Sequence, residues 1–122
     1  MYKRQDAENR YLTTPSSVDF YPMQGSIEDH ASNLPLAVTK CRQMVDNLRY
    51  LVGMEALFAS QAVDLRKSDD NGDYVHLGKG TQKAYDVLRA VVPEMKSNRS
   101  VYDDINKAYQ LVLEEKFLAD GE

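Results

Sequence analysis

Apolar and polar positions divide the chain into stretches of different character. Residues 1–33 show little periodicity, and Pro15, Pro22, Gly25 and the run Thr13-Thr14-Pro15-Ser16-Ser17 mark turns and extended chain. The pattern predicts an irregular arm there. From Leu34 onward, apolar residues recur at Val38, Cys41, Val45, Leu48 and Val52, and again at Leu51, Phe58, Ala62 and Leu65. That is α-helical spacing. Ser32 or Asn33 can cap the helix, Pro35 suits its first turn, where a missing N–H costs nothing, and the polar run Lys67 to Gly72 ends it. A helix over 34–66 and a loop over 67–80 follow. Thr81 can cap a helix over 81–92, through Ala84, Leu88 and Val91, which stops at Pro93. Asn98 or Ser100 can open another over 100–117, with Asp103 and Asp104 in its first turn complementing the helix dipole. No strand pattern and no internal repeat is visible, so the fold class is all-α.

The long helix is out of proportion to the chain. At 1.5 Å per residue it extends roughly 50 Å, whereas a globule of this length has a radius of gyration of about 14 Å. Its apolar residues also form two rows. Cys41, Met44, Leu48, Leu51, Phe58, Ala62 and Leu65 make one, interrupted by Glu55, and Val38, Val45, Val52, Ala56, Ala59 and Val63 make the other. A helix apolar on two sides belongs inside a bundle, and the two short helices are too few to cover it. The isolated chain is therefore expected to be poorly stable or to self-associate.

Charge and composition narrow the function. With 15 Lys plus Arg against 19 Asp plus Glu, the 122 residues carry a formal charge of -4. No basic surplus is available to neutralise phosphates, so neither nucleic acid nor an anionic membrane is an expected partner. A single cysteine, Cys41, rules out an internal disulfide and a cysteine zinc cluster, which suits a reducing compartment and a cytoplasmic protein. There is no apolar run of membrane-spanning length.

The densest group of chemically competent side chains is Ser26-Ile27-Glu28-Asp29-His30, two carboxylates and an imidazole ahead of the long helix. Such a group can perform acid–base work or hold a metal. The alternative is that acids gather near a helix start because the dipole favours them. His76, isolated between glycines, reads as a solvated surface histidine. Asp69-Asp70-Asn71-Gly72-Asp73 suggests a calcium loop, but Tyr74 and Gly80 stand where that loop needs Gly and a bidentate Glu. No metal site is expected. Glu55, on an apolar row, calls for a basic partner across a bundle or for a functional cavity. Cys41 reads as a small core residue, because no basic cluster beside it favours the thiolate.

Pro15-Ser16-Ser17-Val18-Asp19-Phe20-Tyr21-Pro22, Ser26-Ile27-Glu28-Asp29-His30, Asn47-Leu48, Gly53-Met54-Glu55-Ala56-Leu57 and Ser60-Gln61-Ala62-Val63-Asp64-Leu65-Arg66 resemble the carboxy-terminal part of the histidine and aromatic amino-acid ammonia-lyases. Asp103-Asp104-Ile105 extends the likeness, which covers roughly residues 12 to 113 in unbroken order. The resemblance implies a helical homotetramer acting on a small amino acid. It also implies an electrophile, a methylidene-imidazolone (MIO) group, made from an Ala-Ser-Gly tripeptide in the amino-terminal half. No Ala-Ser-Gly occurs here, so the chain looks like a carboxy-terminal fragment that binds no cofactor itself and is expected to be inactive alone.

Met1-Tyr2-Lys3-Arg4-Gln5 looks like translated adapter sequence, leaving residues 6–122 as the natural part. By the same resemblance Glu28 is the catalytic candidate, near the substrate amino group, and Ile27 a substrate-binding one. Histidine-specific members usually carry Asn-Gln where Ser26-Ile27 stands, which leaves phenylalanine and tyrosine lyases and aminomutases open. The competing class is a non-enzymatic helical interaction module.

Overall fold

The computed structural model describes residues 2–19, 24–27, 33–69 and 76–118. Within these it is helical: α1 spans Tyr2–Leu12, α2 Leu34–Asp69, α3 Lys79–Val91 and α4 Tyr102–Leu113, with short 3-10 turns at Ser16–Asp19 and Gln24–Ser26. No strand occurs among the described residues. The chain divides into two compact units, Met1–Leu48 and Arg49–Glu122, and α2 contributes to both.

In the first unit the expected irregular arm is corrected: α1 takes up its beginning. The local pattern hides this helix because its contacts are largely polar. Asn47 Nδ2 donates to Asn9 Oδ1 at 3.0 Å, Gln43 Nε2 donates to Glu8 Oε1, and Leu12 is buried. The first five residues, expected to be foreign to the fold, enter α1 as well. Gln5 is only 2% exposed, and its Oε1 has no hydrogen-bond partner.

The second unit holds the apolar core. Leu88, Val92 and Ala108 are buried together, with Ala56, Leu57, Leu111 and Phe117 packed against them. Gly53 lets α2 and α4 approach closely, since a Cβ there would lie 3.1 Å from the Ala108 carbonyl carbon and the Tyr109 nitrogen. Tyr50 and Tyr109 stack beside this crossing with ring centroids 4.2 Å apart, a geometry worth about 0.5–1.5 kcal/mol beyond area burial. Gln61 fixes the chain after Pro93 by donating to Met95 O at 3.3 Å and accepting from Met95 N–H at 3.0 Å.

Helix ends differ from the sequence reading for identifiable reasons. α2 continues to Asp69, where Arg66 and Lys67 place positive charge in the last turn. α3 begins after Gly78 without a side-chain cap; Thr81 donates its hydroxyl to Gly78 O inside the first turn instead. Val101 precedes α4 and makes no side-chain cap itself, but Ser100, expected as a cap, accepts the Tyr102 N–H on its Oγ at 3.4 Å. α4 stops at Leu113, short of 117. Glu115 adopts a left-handed φ of 57°, and Lys116 N–H reaches Leu111 O at 3.0 Å while Glu115 N–H reaches Val112 O at 3.1 Å. This pair of bonds closes a helix in the Schellman manner, here with Glu where Gly is usual. The turn folds Phe117 back towards Leu88 and Val92.

The covered stripe of α2 differs from either apolar row. Asn47, Gly53, Met54 and Ser60 are buried, whereas Val38, Val45, Leu48, Val52, Phe58 and Leu65 are exposed, Phe58 by 72%. Cys41 is exposed too, which corrects its placement as a core residue. Glu55 is likewise exposed, so it is not desolvated in this chain. The isolated polypeptide is accordingly expected to associate with itself. Sedimentation velocity should show mass rising with concentration, and a concentration-independent, cooperatively unfolding monomer would contradict the exposure.

Candidate active site

The segment carrying the chemically dense motif runs from the second 3-10 turn to the start of α2. Gln24 and Gly25 both take left-handed backbone conformations, with φ of 48° and 65°. Gly meets that demand without a Cβ clash, and Gln is an uncommon choice there. The chain reverses, and Ile27 N–H donates back to Gln24 O at 3.4 Å. Ile27 is thereby left 87% exposed. Glu28, Asp29 and His30 lie outside the described residues.

The far end of the segment is anchored on α2. Asn33 O accepts the first helical N–H, from Ala37 at 2.9 Å, while its side-chain amide donates to Ser16 O at 2.7 Å. Asn33, expected as a cap, therefore also ties α2 to the preceding loop. Lys40 Nζ donates to Thr14 O from the next turn of α2. Both ends of the loop that holds Ile27 thus rest on one helix.

A second polar cluster, which the sequence reading missed, joins α2 to α3. Arg89 Nη2 lies 2.6 Å from Asp64 Oδ2 with both side chains largely buried, an ion pair whose alignment falls short of a hydrogen bond. Tyr85 donates its hydroxyl to the other oxygen, Asp64 Oδ1. Lys67 Nζ stands 4.2 Å from the Tyr85 ring centroid. The partners come from different helices, so spacing alone gave no signal. Tyr85 and Arg89 are four apart on α3, which places them on one face. His76 is exposed, as expected of a surface histidine. Among the described residues no three His, Cys, Asp or Glu side chains gather in a way that could hold a metal, and no helix is long and apolar enough to cross a membrane.

The sequence profile described as aromatic amino acid lyase matches residues 4–90. The chain belongs to this family. Among aromatic amino acid lyases it is 34% identical over 116 residues to histidine ammonia-lyase 1 of Fusobacterium nucleatum, covering 95% of this chain and 22% of that one. The histidine ammonia-lyase of Streptococcus sanguinis is 36% identical over 115 residues, covering 93% and 21%. Among solved structures, the ergothioneine-degrading enzyme ergothionase of Treponema denticola, in complex with desmethyl-ergothioneine sulfonic acid, superposes with a TM-score of 0.81 at 46% identity. That match covers 95% of this chain and 22% of the other. The chain thus spans about a fifth of the length of the lyases it matches.

Proposed function

We propose that the full-length protein is a carbon–nitrogen lyase that removes the α-amine of a histidine-like amino acid and leaves the unsaturated acid. The observation that carries this reading is the profile match over residues 4–90, joined to 46% identity with ergothionase across nearly the whole chain. Glu28 is the catalytic residue of this proposal and Ile27, beside it, a substrate contact. The family's electrophile would come from an Ala-Ser-Gly tripeptide outside these 122 residues and would act as the electron sink for C–N cleavage. This segment alone is inactive on that reading. The exposed rows of α2 serve as the surfaces through which a cytoplasmic homotetramer assembles. A free helical interaction module is the weaker alternative, since it gives no reason for likeness to lyases over 95% of the chain.

Two substrates compete. Histidine is favoured by the names of the curated relatives, at 34% and 36% identity; ergothioneine is favoured by the higher identity, 46%, to ergothionase. Phenylalanine and tyrosine have no relative among these three to recommend them. The test is the full reading frame expressed and purified, offered histidine, ergothioneine, phenylalanine and tyrosine in turn. Growth of the ultraviolet band of a conjugated unsaturated acid with one of the first two is the expected result. Absence of turnover with all four, from a protein that carries an upstream Ala-Ser-Gly, would reject the lyase reading.

A further inference from the structure

We infer that Asn9 sets the register of α1 along α2 against a competing register, one helical turn away, in which Gln5 takes its place. The seam between the two helices is polar. Among the described residues of α1, Leu12 is the only buried apolar side chain, while Asn47 Nδ2 donates to Asn9 Oδ1 at 3.0 Å, Gln43 Nε2 donates to Glu8 Oε1, and Lys40 Nζ donates to Thr14 O just beyond the helix. Late residues of the first stretch meet early residues of α2, so the helices run antiparallel. Where apolar knobs interlock they fix one helix on another, and a seam with a single such knob leaves that task to its hydrogen bonds. Setting register is the best-attested use of a buried polar side chain.

Gln5 supplies the competitor. It stands four residues before Asn9, hence on the same face of α1, is only 2% exposed, and its Oε1 has no hydrogen-bond partner. Asn47 is 8% exposed, so its amide needs an acceptor within the seam. α1 therefore offers Asn47 two side-chain carbonyl oxygens, about 6 Å apart along the axis at 1.5 Å per residue. One can be served at a time. In the observed register Asn9 takes the donor while Glu8 meets Gln43 and Leu12 is buried. The consequence for turnover rests on the lyase reading above. Lys40 and Asn33 hold Thr14 O and Ser16 O from α2, so a one-turn slip of α1 breaks both ties and displaces the chain that follows it. Asn9 is thus a positioning residue, and misplacement of about 1 Å can already cost about 10²-fold in rate.

Cryo-electron microscopy of the full-length protein reads the register directly, as the α1 side chain that faces Asn47. In Asn9→Leu, Gln5 is expected there, with α1 displaced by about 6 Å, the melting temperature little changed and kcat/KM lowered at least about tenfold. Asn9→Asp keeps the acceptor and is expected to keep register and turnover. Asn9→Leu/Gln5→Leu, with neither oxygen left, is expected to return α1 to its observed position and to melt lower, because the Asn47 amide is then unpaired. If Asn9→Leu leaves α1 in place and only melts lower, Asn9 is an ordinary stabilising contact and the inference falls. Should that variant fail to assemble, Asn9→Leu/Asn47→Leu decides: α1 in more than one position supports the inference, and a single unchanged register overturns it. A wild type that turns over none of the four amino acids removes the lyase reading, and the maps still judge the register.

Discussion

Glu28→Gln in the full-length protein is expected to lower kcat/KM at least about tenfold, equal to roughly 1.4 kcal/mol of transition-state stabilisation, without dispersing the assembly. The substitution keeps the size of the side chain and removes its charge. If the carboxylate merely complemented a helix start, its loss would cost about 0.3–1 kcal/mol of stability and little turnover. Acid–base participation at a reacting centre typically contributes about 10²–10⁴-fold, so the two roles separate in rate rather than in folding. Steady-state kinetics with a check of oligomeric mass decides between them. Near-normal kinetics in a correctly assembled variant would deprive Glu28 of a catalytic role.

What the sequence disclosed, and what it hid, follows from the range of the interactions involved. α2 was legible because more than thirty residues repeat one spacing, and a signal of that length survives errors at its ends. α1 was not, because Tyr2–Leu12 is mostly polar and its stabilising partners, Gln43 and Asn47, stand well over thirty residues away. The helix starts were misassigned at Thr81 and Ser100 for a related reason. Both residues suit a cap, but Thr81 donates its hydroxyl to Gly78 O inside the first turn, and Ser100, whose Oγ accepts the Tyr102 N–H at 3.4 Å, stands one residue before the position that immediately precedes α4. The apolar rows of α2 were legible as rows and as more than the short helices can cover, and among the described residues they are indeed largely exposed; the buried stripe of Asn47, Gly53, Met54 and Ser60 was not foreseen. As for the site, composition and spacing marked out residues 26–30 only as a dense polar group. Glu28 and Ile27 gained roles through likeness to a family, and the exposure of Ile27 became visible only in the fold.

The Asp64–Arg89 pair is where substitution is expected to cost the most stability. Asp64→Ala or Arg89→Ala in the full-length protein should each lower the unfolding free energy by about 3–5 kcal/mol, because each leaves a largely buried charge without its opposite. The two losses have different local consequences. Without Asp64, the Tyr85 hydroxyl loses its acceptor, and Arg89 keeps the carbonyl of Val92, at 3.2 Å, and its place over the Tyr85 ring, 5.8 Å from the centroid, but no anionic partner among these contacts. Without Arg89, the Asp64 carboxylate retains only the Tyr85 hydroxyl of the contacts described above. The combined variant Asp64→Leu/Arg89→Met removes both charges and fills the space with apolar atoms. Buried ion pairs replaced in this way are often neutral or stabilising, because their attraction does little more than offset desolvation. The double variant should therefore recover most of the loss, with a coupling energy well beyond the roughly 0.3–0.5 kcal/mol scatter of independent sites. Urea unfolding of the four proteins, compared at constant m-value, measures that coupling. Additive losses would mean that water reaches the pair and screens it, and that Leu88, Val92 and Ala108 hold α2, α3 and α4 together without electrostatic specification.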